Sequence, residues 1–297
     1  NFRNVFSWAS NELKAGQSLK AHAEPTLPQL ITITDPDDPR ISAYRHVRER
    51  DLVGREGLFI AEGEIVVRVL ARAPRFAVQS LLLAERQAVR LAEVWQGLTE
   101  GVPVYQAGQA VMDAIVGFPI HRGILALGQK PPRLDLDKVL AGLGPSALVV
   151  GLSAIANTDN MGGIMRNAAA FGVDAVVLDS DCCDPLYRKA IRVAVGASLL
   201  VPFVSLPPGA DMVGQLQAHG FETLALSPSG EAELGDLVRA PRCAILLGAE
   251  GPGLGADALD RARSVRIQMA GGFDSLNVAT TSGIVLHHLS RVARRPD

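Results

Sequence analysis

The chain has 297 residues, an apolar fraction of 48% and a formal net charge of −2, which is length enough for one large or two ordinary domains and apolar content enough for a buried core. Its three cysteines, Cys182, Cys183 and Cys243, are odd in number and lack metal-type spacing, which argues against a disulfide framework or a zinc site and for a reducing, cytosolic setting. No uninterrupted apolar stretch approaches the roughly 18 residues of a membrane span, and the slightly acidic balance gives no global pointer to a nucleic-acid partner.

The first 29 residues begin without Met and read as a polar, irregular leader, either expression-derived or poorly ordered. A presequence is the other reading, since Arg3, Lys14 and Lys20 outnumber Glu12 before Glu24. Ile41 to Val53 has the pattern of a charged helix, Leu58 to Ala61 that of a strand leading to Glu62-Gly63, and Ile65 to Ala73 that of a helix. A strand at Val78 to Leu83, a helix around Arg86 to Leu98, and strands at Val102 to Tyr105 and Gly123 to Leu127 complete a small α/β unit over residues 30–128. Gly128 to Pro132 breaks the patterning, and the Pro-Pro pair favours an extended connector, so a linker is expected over 129–144.

From residue 145 to 297 strands alternate with helices more regularly. They are expected at Ala147 to Leu152, Val173 to Leu178, Leu199 to Val204, Phe221 to Leu226, Cys243 to Gly248 and Val265 to Met269. This alternation predicts a mostly parallel sheet covered on both faces. In the first helix of this half, Ile164, Ala168 and Phe171 form a core-facing stripe that Gly172 is placed to end, and Arg166 lies off the stripe.

Three stretches carry possible chemistry. Asn157 to Gly163 suits a tight turn before a helix N-terminus, which offers free N–H groups to a phosphate or ribose with Arg166 as the cation; these residues alone favour the plainer reading, an ordinary capped turn with a surface arginine. Gly248 to Gly255 lacks both the dinucleotide-binding spacing and the Lys-Ser/Thr of a phosphate loop, but its glycines free the backbone to approach a ligand, and the acid among them, Glu250, is suited to accept from an arginine, with Arg166 as one candidate. Ser275 is expected to cap a helix running from Leu276 through His288, and a plain cap is all that this serine requires. His287 and His288 lack nearby ligand partners in the sequence and read as surface or interface residues, and no nucleophile elbow is present.

Taken together and in order, these stretches resemble the motifs of the SpoU (TrmH-type) RNA ribose methyltransferases, a branch of the SPOUT superfamily, from about Ala147 to His288. Asn160, Gly162 and Arg166 match the first motif, Gly248, Glu250 and Gly253 the second, and Ile267, Met269, Ser275, Leu276, Asn277 and Val278 the third. Arg192 to Ala197 is similar to the segment before the family's third strand, and Phe59 to Gly63 with His121 to Gly123 are similar to landmarks of an RNA-binding domain that many members carry. Arg40, Arg45, Arg48, Arg50, Arg55, Arg68 and Arg72 could supply phosphate contacts there, although Glu49, Asp51 and Glu56 also fit a plain solvated helix. Three departures stand out: Asn157-Thr158 replaces the usual Asp-Pro, Ala249 an Asn or Ser, and Gln268 a Pro.

The resemblance implies an α/β fold with a C-terminal trefoil knot, S-adenosylmethionine as cofactor, and transfer of its methyl group to a ribose 2′-hydroxyl of tRNA or rRNA by a cytoplasmic homodimer. The cofactor would sit near Leu226, Gly248, Ile267, Met269, Ser275 and Leu276. Arg166 would orient the ribose-phosphate and stabilise the developing oxyanion, Asn160 would position the nucleotide, Glu250 would hold Arg166, and Ser275 with Asn277 would shape the pocket. Two rivals remain: an RNA-binding protein of the same fold that has lost methyl transfer, and an ordinary nucleotide-binding α/β enzyme.

Overall fold

The structure, a computed structural model, describes residues 29–45, 49–116, 123–271 and 275–292. The expected leader up to residue 28, Arg48, His121, Arg122 and the turn at 272–274 lie outside the described residues.

Five strands build a first sheet: β1 (Leu30–Ile33), β2 (Leu58–Glu62), β3 (Ala77–Ala84), β4 (Val104–Ala107) and β5 (Ile124–Gln129), in the order β1-β4-β3-β5-β2. β4 runs parallel to β1 and β3, whereas β5 is antiparallel to β3 and β2. The two-residue period of the strands sends Phe59, Ala61, Leu81 and Leu83 into one core and Ile60 and Leu82 into the other. A 3-10 turn (Pro39–Tyr44), α1 (Glu49–Gly54), α2 (Glu64–Arg72), α3 (Glu85–Arg90), α4 (Ala92–Trp95) and α5 (Gln109–Val116) accompany these strands. The single helix expected from Ile41 to Val53 is thus two elements, because Arg45 takes extended angles (φ −91°, ψ 143°) that end the 3-10 turn. The helix expected around Arg86 to Leu98 likewise divides, at Leu91 (φ −101°, ψ 20°).

The second sheet contains β6 (Ala147–Leu152), β7 (Ala175–Leu178), β8 (Phe203–Ser205), β9 (Glu222–Leu226), β10 (Ala232–Glu233), β11 (Arg242–Leu247) and β12 (Arg263–Arg266), ordered β10-β12-β9-β11-β6-β7-β8. All its pairings are parallel. Every residue of the central β6 is buried, as a strand covered on both faces requires. One face carries α7 (Thr158–Ala170), α8 (Arg188–Val193) and α11 (Val278–Val292); the other carries α6 (Leu136–Gly142), α9 (Met212–Ala218) and α10 (Ala256–Arg261). Half of the stretch expected as a linker therefore folds as α6: Asp135 caps it by accepting from the Lys138 N–H, and Leu136, Val139 and Leu140 pack on the sheet. β8 is shorter than expected, because residues 197–199 form a 3-10 turn and the strand starts only after Pro202.

The two sheets share a core. Leu186, Ile191 and Leu199, from the second half of the chain, pack among Phe59, Leu81 and Leu83 of the first. Beside this contact the buried Glu62 accepts hydrogen bonds from Arg188 at 2.9 Å and Arg192 at 3.3 Å. The Glu62-Gly63 landmark is thus a junction between the halves.

Candidate functional site

Parallel strands align their carboxyl ends on one edge of the sheet, which is where α/β folds open ligand crevices. Here three loops meet: Leu226 to Pro228 after β9, the glycine-rich turn after β11, and the chain between β12 and α11. They wall a cleft that is open to solvent. Leu226, Gly248, Ile267, Met269, Ser275 and Leu276 all line it. The walls are mainly aliphatic, with polar groups from Ser227, Glu250 and Thr281.

Gly248 is where the backbone needs glycine. A Cβ there would lie 2.2 Å from the carbonyl carbon of Gly253 and 2.3 Å from its oxygen. The turn is closed by the Gly253 N–H donating to the Ala249 carbonyl at 3.0 Å, with Gly251 and Gly253 at φ +89° and +71°. Ala249, one of the departures, therefore contributes its backbone to this turn.

Asn157 to Gly163 is not a loop before a helix; it is the cap and first turns of α7. Asn157 is the N-cap, its Oδ1 accepting from the Asp159 and Asn160 N–H groups. The replacement of Asp-Pro by Asn157-Thr158 thus keeps a strong capping residue and exchanges only the proline favoured at the first helical position. α7 ends as the glycine at 172 predicts: with φ +70° at Gly172, the Gly172 and Val173 N–H groups donate to the Ala169 and Ala168 carbonyls.

The capped first turn brings Asn160 to the glycine-rich loop. Its Nδ2 donates to Glu250 Oε1 at 2.6 Å, while Asn277 Nδ2 donates to Asn160 Oδ1 at 2.8 Å and to Glu250 Oε1 at 3.1 Å. Glu250 is therefore held by two asparagines rather than by Arg166. The reason is helical geometry: six residues beyond Asn160, Arg166 has turned to a different face of α7, and it is exposed. Among the described residues it forms no ion pair, which leaves its guanidinium available.

Asn277 also corrects the expected cap. α11 begins at Val278, and Asn277 Oδ1 accepts from the Ala279 and Thr280 N–H groups. Ser275 instead lines the cleft two residues earlier. One residue, Asn277, thus caps α11 and completes the Asn160–Glu250 contact.

Two supporting residues escaped the sequence reading. Asn167 Nδ2 donates to the Ala279 carbonyl at 2.8 Å and to Ser282 Oγ at 2.9 Å, tying α7 to α11 where a Cβ on Gly163 would be 2.7 Å from that of Ala279. A lone asparagine inside a helix next to small residues was the available signal. Asp179 accepts from Ser153 Oγ and the N–H groups of Ala154, Asp181 and Cys182. It thereby anchors the turn in which Ala154 holds φ 55°, a conformation unfavourable by about 1–2 kcal/mol for a non-glycine residue. Burial raises both adjacent thiols, Cys183 to about 11 and Cys182 further, so neither supplies a thiolate near neutral pH. His287 packs edge-on against Phe171, and His288 lies 3.4 Å from the Leu237 carbonyl.

Residues 147–287 match the model of the SpoU rRNA methylase family. The chain is 39% identical over 268 residues to an uncharacterised tRNA/rRNA methyltransferase of Mycobacterium bovis, covering 87% of this chain and 91% of that one. It is 30% identical to the 23S rRNA (guanosine-2′-O-)-methyltransferase of Vibrio vulnificus, covering 78% and 96% respectively. Among solved structures, an AdoMet-bound rRNA methyltransferase from Sinorhizobium meliloti superposes with a TM-score of 0.73 at 21% identity, over 88% of this chain and 97% of that chain.

Proposed function

The chain belongs to the SpoU rRNA methylase family, and we propose that it is an S-adenosylmethionine-dependent methyltransferase acting on a ribose 2′-hydroxyl of tRNA or rRNA. The observation that carries this reading is the meeting of three separated motifs at one cleft, with Asn160, Glu250 and Asn277 bonded to one another at its rim. The cleft fits the cofactor chemically: aliphatic walls suit an adenine ring and a methionine chain, and close backbone at Gly248 suits recognition through main-chain groups. Leu226, Gly248, Ile267, Met269, Ser275 and Leu276 would hold it.

Bound there, S-adenosylmethionine would supply an electrophilic sulfonium methyl for a ribose 2′-oxygen, with S-adenosylhomocysteine as the leaving group and the hydroxyl proton passing to solvent. Arg166, exposed and without a carboxylate partner among the described residues, orients the ribose-phosphate and stabilises charge developing on the 2′-oxygen. It does so as a cation, since guanidinium keeps its proton. Asn160 positions the nucleotide, Glu250 fixes the Asn160 and Asn277 amides, and Ser275 shapes the entrance.

Residues 30–128 act as the RNA-binding unit and 145–297 as the methyltransferase unit, with α6 docked on the latter. A trefoil knot is in keeping with the chain after β12 returning to bond the first turn of α7 and the loop after β11 through Asn277. The exposed Leu276 and Ile284, near the site on α11 and its approach, support a homodimer, and a cytoplasmic setting follows from the RNA substrate. Incubation with methyl-labelled cofactor and fractionated total RNA tests the reading: label should enter tRNA or rRNA in alkali-resistant linkages. Cofactor binding without label in RNA would favour a binding-only protein.

A further inference from the structure

We propose that the solvent side of α8, through Lys189 and Arg192, binds phosphates of the RNA strand flanking the target ribose and so positions it against Arg166; this rests on the methyl-transfer reading. α8 is two-sided. Ala190 and Ile191 are fully buried, one in the core under α7 and the other in the core of the first sheet. The remaining side is basic, with the side chains of Arg188, Lys189 and Arg192 exposed by 19%, 50% and 45%.

Charge on this patch is unbalanced. Three cations share two carboxylates: Asp159, 2.5 Å from Lys189, and Glu62, which Arg188 and Arg192 share. Glu62 is only 9% exposed and is engaged at 2.9 Å by Arg188, leaving Arg192 as the longer, more exposed partner at 3.3 Å. On a chain of formal charge −2, a positive surplus beside the reacting residue suits a polyanion. An exposed Lys–Asp pair such as Lys189–Asp159 is weak, so a phosphate can claim the ammonium at little cost.

The spacing also fits. Asp159 and Arg166 lie seven residues apart, almost two full turns, on α7, so Lys189 sits about 10 Å along the same side of that helix from Arg166. That distance spans about three stacked nucleotides at roughly 3.4 Å each. α8 is held firmly against α7, because a Cβ on Gly162 would stand 2.6 Å from the Ala190 carbonyl oxygen and 2.7 Å from Val193 Cβ. The patch touches the first sheet through Glu62 as well, so RNA bound by that half would continue across it.

Binding of bulk tRNA and total rRNA to the full chain, measured across a salt series, tests this. Lys189→Gln and Arg192→Gln should each weaken binding about three- to tenfold near physiological salt, and each should lower the slope of log K against log salt by about 0.7–0.9. The apparent KM for RNA should rise by more than kcat falls, cofactor affinity should stay as it was, and Lys189→Arg should restore binding. Lys138→Gln, on α6 across the sheet, should do nothing. Unchanged slopes in both variants, or an equal loss in Lys138→Gln, would overturn the proposal even if the wild-type chain methylates RNA. Reduced slopes with no methyl transfer by the wild-type chain would instead remove the methyl-transfer reading and leave the phosphate contacts standing.

Discussion

Glu250 should be energetically coupled to Asn160 and not to Arg166. The Asn160–Glu250 bond is 2.6 Å and ends on a carboxylate, a type that contributes about 1.5–3 kcal/mol. Because Glu250 is exposed, we expect the low end, about 1–2 kcal/mol, as the coupling in a double-mutant cycle of Asn160→Ala and Glu250→Ala, inside the roughly 0.5–3 kcal/mol seen for bonded neighbours. Arg166→Ala and Glu250→Ala should add to within about 0.5 kcal/mol, as unlinked sites do. The assay is guanidinium unfolding followed by circular dichroism, with melting temperature as a check, where 1 kcal/mol corresponds to about 2–4 °C for 150–250 residues. Additivity for Asn160 with Glu250, together with coupling above about 1 kcal/mol for Arg166 with Glu250, would refute the geometry described above and restore the arginine–glutamate pair.

Gly248→Ala should distort the loop after β11, since the new methyl meets the Gly253 backbone at 2.2 Å and backbone cannot rotate away; the cost is about 1–3 kcal/mol. Calorimetry should then find cofactor affinity reduced about tenfold or more, equivalent to about 1.4 kcal/mol, and an unaltered affinity would dissociate this turn from the cleft. Asn157→Ala should destabilise α7 by about 1 kcal/mol whereas Asn157→Asp keeps the cap, a contrast readable by thermal melting. At pH 8 the native thiols should alkylate far more slowly than those of the denatured chain, because burial raises Cys183 to about 11 and Cys243 to about 12. With folded values above the ordinary 9.0, the native state holds these protons more tightly, so their contribution to stability is full below pH 9 and fades as pH rises through 11 to 12. Mass-spectrometric label counts that match between native and denatured chains at pH 8 would count against the buried placement.

The sequence was most legible where one local rule governs. β6, β9 and β11 are dense apolar runs followed by turn residues, and Gly172 ends α7 because the left-handed position there favours glycine. It was least legible where two distant segments decide together. Glu250 and Asn160 are ninety residues apart, and opposite charge made Arg166 the obvious partner until helix phase turned it away. Ser275 and Asn277 both suit a cap, and only the start of α11 at Val278 chooses between them. α6 hid behind Pro131-Pro132, since its seven residues are too short to announce a period beside so strong a break signal. Glu62 belongs to a stretch similar to a landmark of an RNA-binding domain, and nothing local in it reveals that the side chain is buried against Arg188 and Arg192.

Nucleoside mass spectrometry of tRNA and rRNA, after incubation with S-adenosylmethionine and either the wild-type chain or Arg166→Ala, decides whether this chain methylates ribose through Arg166. A 2′-O-methylated nucleoside that forms with the wild-type chain and is lost in the variant, while calorimetric cofactor affinity is retained, is the predicted result. Equal formation by both proteins would remove Arg166 from the chemistry, and its absence with the wild-type chain despite cofactor binding would contradict the methyltransferase assignment itself.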